Sequence, residues 1–429
     1  MAAESGLRTR SLATDARPSR ASHRGRIATL AVAIALCLLA FASASAADTG
    51  SVYVDSSAGP AAGLRTPGDR AQTTAIVVQA VDSPRFVVAD DGRTHIEYDL
   101  VVTNGLSPDV TLRSLTVRAR GRALLTLRGD ALAAQTHPLG GTKPTLSIPG
   151  ASAVAIVVDV ALPQKRPVPE HLGNTIRYAV APSPISPIIG SRTVHGPRLR
   201  VEHRGPIVIA PPLRGPGWYV ADGCCTPDSR HRSALLSTNG RLLPIETFAI
   251  DWARVRGGVM FHGTGTELGD YVAFGAKIHS VAAGRVVSVT NNLPEEPINS
   301  DPIAPGIHNR DQFGGNGAVI KIGPGEYAFY GHMQPGSVRV KKGQRVRTGQ
   351  VLGLLGNSGN TSFPHLHFSI QDGPIPLSSA SVPYVFDRFR FRGRVQVAPT
   401  GPPNVVITGR PHRLRHAYPL DQSVVDFRR

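Results

Sequence analysis

Cysteine is almost missing from this chain. Of three in 429 residues, Cys37 lies in an apolar N-terminal stretch, and Cys224 and Cys225 are adjacent. That pattern excludes the multi-disulfide framework that staples small secreted domains. The adjacent pair is open to a vicinal bond, to two free thiols or to pairing between chains. Long helical periodicities are scarce as well, while Gly (45) and Pro (36) are plentiful. Short strands joined by turns are therefore expected, in an all-β chain long enough for two or three domains. Acidic residues are outnumbered, 30 against 47 Lys and Arg, which leaves a formal charge of +17. The arginines are scattered and no nucleic-acid-binding motif accompanies them, so nucleic acid is not the expected partner.

What is present begins with a leader. Residues 1–26 hold six Arg against Glu4 and Asp15, and 27–42 are apolar and end in small residues around Ala44 and Ala46. This is the layout of a secretory signal over 1–46. The apolar run is slightly short of the ~20 residues that span a bilayer. A membrane is thus a partner only if the leader stays uncleaved. Cys37 follows the bulky Leu36 and does not suit lipid attachment. Removal of the leader keeps roughly +13 of the charge. On an exported, bacterial-looking protein that charge favours an anionic cell-wall surface, and a secreted or cell-envelope location is expected.

Residues 47–73 read as a mobile linker rich in Ala, Gly, Ser, Pro and Thr. Over 74–205, strand-like runs alternate with Gly, Pro, Asn and Asp turns, as in an immunoglobulin-like β-sandwich, without a Cys–Trp–Cys signature. No cluster of catalytic residue types falls there, so a spacer or surface-binding module is expected. Residues 206–220 form a Pro/Gly connector. A second β-rich unit is read over 221–400, and 401–429 as a C-terminal extension with no visible role. Residues 275–289 and 338–355 share Gly-punctuated, β-branched texture suited to a compact sheet folding back on itself. No Lys is presented at a hairpin tip as a carrier domain requires. The polar, Pro-rich insert 291–313, with Glu295, Glu296 and His308, is long enough to form the wall or lid of a groove.

Chemistry concentrates on three short strands. In 365–370 strict alternation puts His365, His367 and Ser369 on one face and Leu366, Phe368 and Ile370 on the other. In 248–252, Phe248, Ile250 and Trp252 face the core, and Asp251 turns away, where a carboxylate needs a partner. His332 follows the strand 327–331 and by alternation shares a face with Ala328 and Tyr330. An Asp and three His on short strands suit a catalytic zinc site, which takes three N/O ligands and leaves a position open. No cysteine is placed to serve as a ligand.

Four segments then make a specific resemblance. Tyr330-Gly331-His332-Met333, the run 343–350, Gly356-Asn357-Ser358-Gly359-Asn360 and Pro364-His365-Leu366-His367-Phe368 resemble the signature of lysostaphin-type (LytM-like) zinc metallopeptidases. The similarity covers about 220–375. It implies an antiparallel β-sheet peptidase domain that cuts peptides of bacterial peptidoglycan through a zinc-activated water. Carried over by residue, it implies His367 and Asp251 as ligands of Zn2+, with His365 and His332 as catalytic histidines. The chain departs from the family at one point. The other histidine ligand lies four residues before the Asp, and here that position is Thr247. His231, brought back by a hairpin turning at Asn239-Gly240, is the favoured replacement, from the strand preceding Asp251. His262 is its rival, and a site lacking this ligand is the remaining possibility. A catalytically inactive LytM-like module that binds the wall or regulates another hydrolase is the alternative function.

Overall fold

The computed structural model describes residues 72–227, 229–299, 309–397 and 405–428. The expected leader, and the linker as far as residue 71, lie outside these residues. Among the described residues the chain is built from strands and a few single-turn helices, and no helix is long and apolar enough to cross a membrane.

The N-terminal part is two antiparallel five-stranded sheets over one core. One sheet runs in the order Ile76–Ala80, Arg93–Asn104, Ala153–Pro163, Thr136–Pro138. The other runs Thr193–Arg200, His171–Val180, Val110–Ala119, Arg122–Leu127. Alternation along Arg93–Asn104 sends Ile96, Tyr98, Leu100 and Val102 into that core. The opposite face should then meet water, yet His95, Glu97 and Asp99 on it are buried too. The C-terminal part of the chain covers them. The spacer expected from the sequence is therefore corrected: this half is packed against its neighbour through a polar face.

The junction is continuous at the backbone. Asp90 N–H donates to the Tyr418 carbonyl and Tyr418 N–H to the Val88 carbonyl, at 2.9 and 2.8 Å. The buried Asp90 carboxylate accepts from Ser423 Oγ and from Arg394 Nη2, both at 2.6 Å. Arg85 donates to the Ser381 carbonyl at 2.6 Å. Val87 and Ala89 belong to the hydrophobic core of the C-terminal half.

That half is organised by an eleven-stranded antiparallel sheet. Its central order is Asn316–Gly323, Glu326–Met333, Leu366–Gln371, Ile250–Arg254, Gly215–Asp222, Ser423–Phe427, Phe389–Val397. One face carries the main core, with Trp218, Ile250, Trp252, Tyr330, Leu366, Phe368 and Phe427. The two Gly-punctuated segments do fold against each other, since Lys277–His279 pairs with Val351–Leu354 and Gly284 lies opposite Val346. The separate extension expected over 401–429 is corrected. Val405–Thr408 and Ser423–Phe427 are strands of this sheet, the latter between Gly215–Asp222 and Phe389–Val397. Val424 and Val425 fit a strand with a core on both faces. Cys224 and Cys225 form a vicinal disulfide.

On the buried polar face, His95 lies between Asp159 and Asp91, with Nδ1 2.9 Å and Nε2 3.2 Å from their carboxylates. Burial alone would lower its pKa, but the hydrogen bonds its ring donates to both carboxylates raise it to about 10. A folded-state value above the ordinary one near 6.5 means the stabilisation is complete below about pH 6.5 and is lost as the pH rises through 10. Replacing His95 with Gln should lower stability by about 2 kcal/mol at pH 6, the scale of a hydrogen bond to a charged group. The loss should shrink at pH 10, read as the shift in the urea midpoint at each pH.

Candidate active site

The site starts from one cross-strand pair. Ile250–Arg254 and Leu366–Gln371 are antiparallel neighbours in a register that sets Asp251 directly opposite His367. Flanking Ile250, Trp252, Leu366 and Phe368 point into the core, so the two polar side chains share the other face. His367 Nδ1 lies 2.8 Å from Asp251 Oδ1. His365, two residues earlier on the same face, places Nε2 3.5 Å from that oxygen. Its Nδ1 donates to the Phe363 carbonyl at 2.8 Å, which fixes the tautomer with Nε2 toward the carboxylate.

His231 reaches the same carboxylate from another element. Its Nε2 is 3.4 Å from Asp251 Oδ2, and its ring meets the His367 ring edge-on at 5.1 Å. Nδ1 donates to the Ala249 carbonyl at 3.2 Å, which directs Nε2 toward Asp251. Ligand atoms of His231, Asp251 and His367 all lie within 4.8 Å of one another. The expected hairpin is present: Leu235–Thr238 pairs with Arg241–Pro244 around Asn239 and Gly240, both at positive φ as a tight two-residue turn needs. The carrier of His231 is corrected, however. It is a one-turn 3-10 helix, His231–Ser233, before that hairpin and not a strand. The rival His262 is exposed and takes no part in the group. Thr247 is buried but offers no metal-ligand atom.

His332 joins by a backbone irregularity. Alternation would send it to the core with Ala328 and Tyr330, and that expectation is corrected. The register against Asn316–Gly323 slips between Asn316 and Ala318, and His332 has φ +59°. This turns its ring to the site face, with centroid distances of 4.6 Å to His365 and 6.0 Å to His367. A positive φ costs a β-substituted residue roughly 1–3 kcal/mol and persists where neighbours enforce it. Here His332 N–H donates to the Gly314 carbonyl at 2.9 Å, and Nδ1 donates to the Ser358 carbonyl at 2.7 Å. Ser358 is itself held by Asn316 N–H and by its own bond to the Met333 carbonyl.

Charge divides the histidines by role. Burial would raise Asp251, but His231 and His365 beside it hold it well below the usual carboxylate range. Burial opposes protonation of His231, yet Asp251 and Asp222 bring it well above the ordinary imidazole value. His365 is raised against its burial by the same Asp251. His332 goes the other way, since burial and then the charges of His365 and His367 lower it to about 3. It is a neutral base beside a cation-seeking carboxylate.

Sequence reasoning missed one acidic neighbour. Glu246 Oε1 is 3.9 Å from His367 Nε2, the nitrogen turned away from Asp251. At that distance Glu246 faces the ring without a direct hydrogen bond. Nothing in the spacing marks Glu246, because the hairpin alone decides where it lands. The insert is tied to the site's loop as far as it is described: Glu295 Oε2 accepts from Asn357 N–H, and Asn299 N–H donates to the Ser362 carbonyl. The remainder, including His308, lies outside the described residues.

With this geometry in view, comparison with known proteins is direct. Residues 265–378 match Peptidase family M23. The chain thus contains an M23-type peptidase domain, a LytM-like metallopeptidase unit. The match holds His332, His365 and His367, whereas His231 and Asp251 precede it. A stretch of 73 residues is 37% identical to the peptidoglycan DD-endopeptidase ShyA of Vibrio cholerae serotype O1, and covers 17% of this chain and 16% of that protein. Among solved structures, the catalytic domain of the prophage-encoded M23 protein EnpA from Enterococcus faecalis, in a mutant form, is 22% identical. It covers 41% of this chain and 93% of its own, with a TM-score of 0.24. The catalytic domain of lysostaphin from Staphylococcus simulans is 19% identical over 34% of this chain and 80% of its own, with a TM-score of 0.20. TM-scores this low bear neither on the site nor on function.

Gly331 is the residue on which the His332 turn depends sterically. A Cβ there would lie 2.8 Å from the Gly314 carbonyl oxygen, 3.2 Å from Phe329 Cζ and 3.5 Å from His367 Cβ. Gly331→Ala is expected to cost about 1–3 kcal/mol, as overpacking does. Chemical denaturation measures it, and a midpoint equal to that of the unmodified chain would contradict this account of the turn.

Proposed function

We propose that this protein is a zinc metalloendopeptidase of the bacterial cell envelope that hydrolyses peptide bonds in peptidoglycan. The observation that carries the reading is the convergence of His231, Asp251 and His367 within ligand distance, with His365 and His332 against them. Two imidazoles and one carboxylate match the donor set of a catalytic zinc site, which uses three protein ligands. The fit extends to tautomers. His231 commits Nδ1 to a backbone carbonyl and leaves Nε2 for an ion. His367 has Glu246 behind it and Nδ1 toward the shared centre.

Zinc held there would supply Lewis acidity toward water and the scissile carbonyl. The chain's own residues supply the proton chemistry. His332, kept neutral, has one nitrogen fixed on Ser358 and the other available to take a proton from attacking water. His365, drawn toward its cationic form by Asp251 and anchored on Phe363, suits hydrogen bonding to the oxyanion that develops as the carbonyl is attacked. Asp251 contacts His231, His365 and His367 alike, so it sets their orientation together. His231 beside Asp251 supports the enzyme reading over an inert module despite Thr247 at the family's ligand position. Export follows from the leader motif, and the basic surface charge suits an anionic wall.

The experiment pairs two measurements on purified protein: zinc per chain, and new amino termini released from peptidoglycan. One zinc per chain and cleavage are expected. His367→Ala should lose both, and His231→Ala should lose cleavage and bind zinc more weakly. His332→Ala should keep the metal and lower the cleavage rate by about 10²–10⁴-fold, the usual contribution of a positioned acid or base. Absence of both zinc and cleavage in the unmodified chain would refute the reading.

A further inference from the structure

The element that presents His231 is a single turn with no strand pairing of its own, and it is clamped from both sides. On one side Asp222, at the end of the Gly215–Asp222 strand, accepts from Ser229 Oγ at 2.5 Å and from Arg230 N–H at 3.2 Å. On the other side Arg232, next to His231, leaves the peptidase half and enters the N-terminal sandwich. Its Nη2 lies 2.5 Å from Glu97 Oε2 and 4.0 Å from Asp99 Oδ1, with the Arg232 and Glu97 side chains fully shielded from solvent. Glu97 and Asp99 belong to the outward polar face of Arg93–Asn104, and Asp159 stands opposite Glu97 on the next strand.

Fully buried ion pairs are a poor source of net stability. Removing two charges from water offsets most of their attraction, so their use in fixing one arrangement is the better explanation. The remaining contacts between the halves support that use here. Asp90 with Arg394 and Ser423, Arg85 with Ser381, and the Val88–Tyr418 backbone pairing join the halves without touching the His231 turn. Among the described residues, Arg232 is the side chain of that turn paired with the carboxylate face, and the turn also packs on the Ala153–Pro163 strand.

We propose that the N-terminal sandwich completes the metal site, with Glu97 and Arg232 as positioning residues whose buried pair fixes the turn carrying His231. The inference rests on the reading of His231 as a metal ligand. It makes the N-terminal half a working part of the peptidase centre, although no residue of that half faces the ion.

The test uses the full chain and measures zinc affinity by competition with a chromophoric chelator, together with the visible spectrum of the cobalt-loaded protein. Glu97→Gln is compared with Glu97→Leu/Arg232→Met, which removes both charges of the close pair together. Each is also made in a His231→Ala background. Both variants should weaken zinc binding by about 10–100-fold, as loss of an orienting partner does. Their cobalt spectra should move toward that of His231→Ala, and neither should change affinity further once His231 is gone. Zinc affinity unchanged in both variants, or an equal loss with and without His231, overturns the inference and leaves the peptidase reading intact. No zinc binding by the unmodified chain, or none lost in His231→Ala alone, overturns the ligand assignment first and the inference with it.

Discussion

One carboxylate carries the arrangement. Asp251 sits in a strand otherwise committed to the core, and it is surrounded by three imidazoles from two separate places in the chain: His231, and the pair His365 and His367. A buried carboxylate is tolerated only when compensated. Here the compensation is the site itself. The cross-strand register that sets Asp251 opposite His367 is enforced on the reverse face by Ile250, Trp252, Leu366 and Phe368. A slip of one residue would put both polar groups in the core and both neighbours in the site. Hydrophobic packing thus fixes the polar geometry from behind.

Around that carboxylate the rings are held by main-chain carbonyls. Phe363, Ala249 and Ser358 accept one nitrogen each from His365, His231 and His332. Carbonyl oxygens do not titrate, so the tautomers stay fixed across the working pH range. The division into a neutral His332 and cation-prone His231 and His365 follows from burial and the neighbouring imidazole charges at His332, and from the Asp251 carboxylate beside the other two. One cluster thereby holds a neutral imidazole and two cation-prone ones together.

Much of this was legible in the sequence, for identifiable reasons. Strict alternation over 365–370 and 248–252 set the faces of His365, His367 and Asp251 correctly, because the strands are regular there. The Asn239-Gly240 turn announced the hairpin that returns the chain toward Asp251. Where periodicity breaks, the reading broke with it. His332 owes its place to a register slip and a positive φ that no pattern of residue types records. His231 rides on a single turn, too short for any period to show. For the buried Glu97 and Asp99, alternation tells that they oppose the sandwich core and not what later covers them.

The placement of Ser423–Phe427 in the sheet has a consequence for how the peptidase half can be cut or made. Gly215–Asp222, one strand away from the Asp251 strand, has its second neighbour only when that late segment is in place. Until then it is an exposed edge beside the site, with unpaired amides and carbonyls open to another chain. A fragment ending where the metal-site motifs end would therefore keep all five site residues and yet present an aggregation-prone border. The minimal unit is set by sheet closure, well beyond the last histidine.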